Sequence, residues 1–291
     1  MHGTRFWTSC LTLAFLVISF LTAPGAAAAE PKPAIVLTAF GTTTAAADTY
    51  EHIDRLARAR FPEHEIRWAY TSRKVRQKVA AEQGKELKDL PQVLGELKAA
   101  GFTKVAVQSL HVVPGEEWEK KVVRGAGKIP GLKVAVGKPL LAGKSDHERV
   151  LQAVSRLFPP DLKGAAVVLA GHGSPAAQGE AAYLAFEKLL RARFAGKNVF
   201  LGVVGGKPAA QAALLAVQRS EAQSVLFIPF MVVAGDHMDN DVMGDEPKSW
   251  KSQLLKARPF KIEGLRRGLG FNDEVVTVFL DHLAQAMASL K

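Results

Sequence analysis

The chain has 291 residues, 48% of them apolar and 23% charged, which is enough apolar material for one large or two medium cores. A formal charge of +10 admits nucleic acid, an anionic membrane or an acidic small molecule as partner. The absence of a Lys/Arg block interleaved with aromatics, together with the export signal described next, disfavours nucleic acid. The single cysteine, Cys10, lies in an N-terminal apolar run, so a mature chain without that run has neither thiol nor disulfide, and any metal site must use N and O ligands.

Met1 to Arg5 carries one arginine, Phe6 to Leu21 is mostly apolar, and "APGAAAAE" offers small residues before Glu30. This is the layout of a secretory signal peptide, expected to be removed after Ala28 or Ala29. The alternative is a retained anchor, but an apolar run of about 16 residues is short for a membrane span. The expected product is a periplasmic mature chain that does not span the membrane and carries a charge of +9 once Arg5 is gone.

From there, short Val/Ile/Ala-rich runs alternate with segments of helical period. The runs predict strands at about 34–40, 65–70, 104–110, 132–138, 164–170, 198–204, 223–231 and 259–264. They are apolar throughout, as expected of parallel strands covered on both faces. Amphipathic segments such as "TYEHIDRLARARF" and "EAAYLAFEKLLRARF" lie between them and point to an α/β fold. The final segment, "NDEVVTVFLDHLAQAMASL", predicts a helix capped by Asn272 or Asp273.

Eight strands fit one barrel or two four-stranded domains, and an internal repeat separates these. Ala39 to Phe61 lines up with Gly171 to Phe194 at an offset of 132 that drifts to 133, and Gln108 to Trp118 lines up with Ile228 to Met238 at an offset of 120. The expectation is two similar domains, 29–143 and 144–291, each a four-stranded parallel sheet flanked by helices, related by a pseudo-twofold with a cleft between them. Either "SDHERVLQAVSRLF" or the last helix is free to cross to the other half.

Function in open α/β sheets collects at the carboxyl ends of strands. Four loops are expected there: "FGTTT", "HVVPGEEW", "GHGS" and "VVAGDHMDND". The repeat places Phe40 opposite His172 and Glu117 opposite His237, so that His172, His237 and Glu117 are expected to converge in the cleft. Two imidazoles and a carboxylate suit Co(II), Fe(II), Ni(II) or Zn(II) and leave coordination positions open. A lone histidine in a glycine loop is more often structural, and only the pairing at equivalent strand ends raises these two above that level.

Other readings of the loops are weaker. Ser174 lacks the nucleophile elbow, "DNDVMGDE" has Met243 where a calcium loop needs oxygen, and "FGTTT" lacks the glycines and lysine of a phosphate loop, so no nucleotide is indicated. The acidic run is read as a solvated turn or as a charge that draws metal inward. His111, at a strand end six residues before Glu117, is a candidate cleft residue, whereas His52, His64, His147 and His282 read as surface residues. "TSRKVRQK" places Arg73, Lys74 and Arg76 at a helix start, either a solvated turn or a carboxylate clamp beside the cleft.

The motifs "LTAFGTTT", "YTSRKVRQK", "QSLHVVPGEEWEK", "AGHGS" and "GDHMDNDVMGDEPKSWK" resemble those of the anaerobic, single-chain cobalt chelatases that act on sirohydrochlorin, class II enzymes related to ferrochelatase. The resemblance spans most of the mature chain and implies a chelatase-like pair of α/β domains. It also implies ATP-independent insertion of Co(II), with Fe(II) as second metal, into a tetrapyrrole held in the interdomain cleft. Its metal-binding histidines fall on His172 and His237 and its cleft glutamate on Glu117, and the macrocycle's carboxylates give Arg73, Lys74 and Arg76 a role. The signal peptide departs from a usually cytoplasmic family, which keeps a second reading in play: an exported carrier of metal or tetrapyrrole (haem) without turnover. The sequence is compatible with a homo-oligomer as well as with a single chain.

Overall fold

A computed structural model describes His2 and residues 32–291, so the expected signal peptide lies, His2 apart, outside the described residues. Eight strands form two four-stranded sheets. They are β1 (Ala34–Ala39), β2 (Ile66–Tyr70), β3 (Lys104–Ser109) and β4 (Lys133–Gly137) in one, and β5 (Ala165–Gly173), β6 (Val199–Gly205), β7 (Ser224–Phe230) and β8 (Lys261–Gly264) in the other. The orders are β2-β1-β3-β4 and β6-β5-β7-β8, and every pairing is parallel. The two halves that repeat in sequence therefore repeat in topology. Seven of the eight expected strands appear with ends shifted by two residues or less, and β5 runs on through Gly173.

The helices are α1 (Asp48–Arg60), α2 (Arg73–Gln83), α3 (Leu90–Ala99), the single turn α4 (Arg124–Ala126), α5 (Lys144–Ser155), α6 (Ala177–Arg193), α7 (Ala210–Arg219), α8 (Trp250–Ala257) and α9 (Asp273–Ala288). Local chemistry sets their ends. Ser72 caps α2 by accepting from Val75 N, Asp89 and Gln92 form a reciprocal capping box on α3, and Asn272 caps α9 by accepting from Glu274 N and Val275 N.

The strands are apolar on both faces because each face meets a different core. On β1, Ile35, Leu37 and Ala39 enter a core shared by both sheets, while Ala34 and Val36 enter one private to the first half. On β5, Val167 and Leu169 enter the shared core, while Ala166, Val168 and Ala170 enter a private one. Burial of this kind contributes roughly 1.5–3 kcal/mol per large aliphatic side chain. The last helix belongs to both halves: α9 packs on β3 and β4 of the first sheet as well as on α5 and α1. Val275, Phe279 and Leu283 fill the shared core from it.

Two histidines expected at the surface are buried, His282 by that crossing. His282 of α9 donates through Nδ1 to the Lys138 carbonyl at 3.1 Å and sets Nε2 3.2 Å from Asp146. His147 is buried edge-on against Phe186, and burial lowers its pKa. His52 and His64 lie nearer the surface but are tied down, His52 to Asp273 at 2.7 Å and His64 to the Pro33 carbonyl at 2.7 Å.

Candidate active site

The strand orders dictate where a site forms. The chain leaves β1 for β2 on one side and returns to β3 on the other, which opens a crevice beyond the carboxyl ends of β1 and β3; β5 and β7 do the same in the second half. The segments after these four strands border one cavity of about 640 Å³, within the range of small-molecule sites. The segments also touch pairwise across the halves. A Cβ on Gly115 would come 2.9 Å from Ser174 Oγ, and one on Gly235 would come 3.3 Å from Thr42 Oγ1.

His172 is a strand residue, not the loop residue its glycine neighbours suggest. β5 continues past it until Gly173 pairs with Gly205 of β6. Gly173 has a φ of +92°, and a Cβ there would lie 1.7 Å from the Gly205 carbonyl oxygen, so only glycine permits the strand to end this way. The result is an imidazole fixed on a rigid element and open to the cleft. His237 begins a π-helical turn (His237–Val242), a winding that is rare and concentrated at functional sites. The two rings meet with centroids 4.7 Å apart and planes at 77°.

The hydrogen bonds assign the tautomers. Asp241 accepts from His237 Nδ1 at 2.6 Å; a carboxylate only accepts, so the proton sits on Nδ1 and the Nε2 lone pair is free. The Gly173 carbonyl likewise stands 3.3 Å from His172 Nδ1, a longer contact of the same sense. Burial first, and the neighbouring His237 second, lower the His172 pKa, which favours the neutral, ligating form. Asp241 was missed as a site residue because the acidic run reads as a solvated turn. Its neighbours fit that description, since Asp239 pairs with Arg266 and Asp245 with Lys251, but the i,i+4 spacing of His237 and Asp241 carried the signal.

Glu117 borders the same cavity and immediately precedes a second π-helical turn (Trp118–Val123), so the repeat-equivalent residues Glu117 and His237 lie within one residue of the same place at the start of a π-helical segment. The structure brings the two imidazoles together and places Glu117 in the same cavity. Among the described residues no three His, Asp, Glu or Cys side chains are grouped closely enough to hold an ion at once. Phe40 also lines the cavity, 47% exposed. His111 lines it too, with Nδ1 bonded to Ser109 Oγ at 2.9 Å and Nε2 shut off from solvent without a partner. Burial, then the neighbouring His172, pushes its pKa down to about 4.

The expected basic clamp is placed differently. Arg73 and Lys74 are exposed on α2 and do not border the cavity. Arg76 turns inward, donating to the Tyr70 carbonyl at 2.7 Å and pairing with Asp89 at 3.3 Å, so its guanidinium holds the end of β2 to α3. The cations that do border the cavity are Lys120 and Lys121 on the π-helical turn after Glu117, neither of which the sequence motifs singled out.

Residues 33–288 match the family model described as cobalt chelatase (CbiK). The chain is 35% identical to the sirohydrochlorin cobaltochelatase CbiKC of Nitratidesulfovibrio vulgaris over 89% of its own length and 92% of that protein. It is 30% identical to the sirohydrochlorin cobaltochelatase of Salmonella typhimurium, over 88% of its own length and 97% of that protein. Among solved structures, SirB from Bacillus subtilis with Fe3+ superposes with a TM-score of 0.63 at 17% identity, covering 89% of this chain and 96% of that one, a likeness of fold. The sirohydrochlorin chelatase SirB from the spizizenii subspecies, in complex with cobalt, gives the same TM-score and coverage.

Proposed function

Because the chain belongs to the cobalt chelatase (CbiK) family, we propose that it inserts Co(II) into sirohydrochlorin without ATP, and that it accepts Fe(II) as a second metal. The observation that carries the site assignment is the His172–His237 pair, two imidazoles 4.7 Å apart at the carboxyl ends of β5 and β7. The ion is a substrate here. It binds the free Nε2 lone pairs of both rings and keeps its remaining positions for water and then for the macrocycle.

Insertion exchanges two pyrrolic protons for one divalent ion. As the ring nitrogens take over the metal, two N–H bonds break and two protons must leave. Glu117, in the same cavity but not grouped with the two imidazoles as a third ligand, accepts these two protons one after the other and passes each to solvent before taking the next. Asp241 keeps His237 in the ligating tautomer and stays off the metal. The apolar wall that includes Phe40, Val113 and Val232 holds the flat macrocycle with its nitrogens toward the imidazoles. His111, uncharged above about pH 4, adds no positive charge beside the incoming cation.

The test is to mix the purified chain with sirohydrochlorin and Co(II), without nucleotide, and follow macrocycle absorption. More than one product per chain supports an enzyme, and a reaction that stops at one per chain supports the carrier reading instead. The location forms part of the same proposal: the N-terminal leader exports the chain to the periplasm, and the N-terminal sequence of the protein recovered from that compartment should begin near Ala29 or Glu30.

A further inference from the structure

We propose that Lys121 is the residue that reads the acidic arms of the macrocycle, in the place the basic start of α2 was expected to take. The charges bordering the cavity separate into three groups. Lys120 is tied to Glu116 one turn away, so those two cancel. Glu117 and Asp236 are acidic. Lys121 is exposed, borders the cavity, and has no ion pair among the described residues, which makes it the one lining cation left uncompensated there.

Its placement follows from the local fold. The π-helical turn Trp118–Val123 sends Val122 into the private core of the first half and leaves Lys121 outward on the wall that also carries Glu117. The Lys121 ammonium, on its long stem, donates to a carboxylate of the macrocycle and anchors the rim of the ring while its centre lies over the histidines. An ammonium is a point charge that tolerates several arm positions, unlike the planar fork of arginine. The consequence is discrimination by charge: a macrocycle with many carboxylates is held in register, and one with only two is held less well.

This inference rests on the chelatase reading, and the experiment separates the two. Steady-state insertion of Co(II) into sirohydrochlorin is measured for the wild type, Lys121→Gln, Lys121→Glu and the control Lys78→Gln, whose side chain pairs with Glu82 away from the cavity. Each is measured at low and high salt, and metal-free binding of sirohydrochlorin is compared with that of a dicarboxylate porphyrin. An exposed ion pair supports a rise in KM for sirohydrochlorin of about threefold to fivefold in Lys121→Gln, and charge reversal should raise it further. kcat and the KM for Co(II) should hold, the salt dependence of KM should flatten, and the preference over the dicarboxylate porphyrin should narrow. Wild-type KM in both Lys121 variants, a fall in kcat with KM unchanged, or an equal loss in Lys78→Gln overturns the proposal. If the wild type itself does not insert metal into sirohydrochlorin, it is the chelatase reading that fails.

Discussion

Asp241→Ala tests whether the proposed metal site is built from more than its two imidazoles. The 2.6 Å bond from His237 Nδ1 to Asp241 fixes both the ring's orientation and its tautomer. Without it, His237 is free to carry its proton on either nitrogen and to rotate, and part of the population presents N–H where the metal needs a lone pair. Loss of such a partner typically weakens metal affinity 10–100-fold, about 1.4–2.8 kcal/mol. Both side chains are partly exposed, at 40% and 38%, so water replaces some of the lost bond. The low end, about tenfold, is therefore the expected result. Co(II) affinity of the metal-free protein, measured by competition with a chromophoric chelator, gives the number directly. The controls are Asp239→Ala and Asp245→Ala, which remove equal charge from the same run but pair with Arg266 and Lys251. They should change affinity by less than about twofold, since exposed charges interact weakly through solvent. Affinity within twofold of wild type in Asp241→Ala, or equal losses in all three variants, would refute the tautomer argument; the second outcome would mean that the acidic run acts only through its bulk charge.

His172→Ala and His237→Ala should each reduce insertion to near background while thermal unfolding stays close to wild type, because both rings open to the cleft and contribute little to the cores; wild-type turnover in either removes the metal role. Glu117→Gln should lower kcat more than it weakens metal-free macrocycle binding, and equal losses point to a structural role. Phe279→Ala, in the shared core, should cost about 3–5 kcal/mol in urea unfolding, and one cooperative transition is expected because that core joins both sheets. The His111 pKa lies at about 4 in the folded chain against an ordinary 6.5, so between those values the unfolded chain binds a proton that the folded chain does not. Stability therefore falls with falling pH through this window, by about 2 kcal/mol from pH 7 to pH 5; His111→Gln should flatten the curve, and an unchanged slope would show that another group sets it.

The strands were legible because each is buried on both faces, and that requirement writes continuous apolar runs into the chain: Ile35 and Leu37 answer to one core, Ala34 and Val36 to another. The extension of β5 was not legible, because Gly-His-Gly carries the composition of a turn. Only the pairing of Gly173 with Gly205 shows that the glycine serves backbone approach inside a strand. The buried state of His282 was hidden for a different reason. Its partners, Asp146 and the Lys138 carbonyl, lie in a distant stretch of sequence and meet it only because α9 crosses back over the first sheet. The cation-rich start of α2 was read correctly as charge and placed differently by the fold, since Arg76 serves carbonyls at the end of β2.

The internal repeat predicts more than symmetry of shape. Duplicated strand ends deliver four equivalent positions to one cavity, yet the two halves fill them differently: Phe40 stands where His172 stands, and Glu117 where His237 stands. The His172–His237 pair therefore comes from one half alone, while the first half supplies the buried His111, an aromatic surface, a carboxylate and the Lys121 ammonium. On the proposed function, a flat anionic ring between these unlike walls would turn one face to His172 and His237 and bring its rim carboxylates near Lys121. Placing a histidine at Phe40 would test this division of labour. Phe40→His should add a ligand on the wrong side of the ring, raise Co(II) affinity of the free protein and slow insertion, because metal held from both walls is harder to give up. Faster insertion in that variant would mean that the walls are interchangeable and that the asymmetry of the repeat has no part in the chemistry.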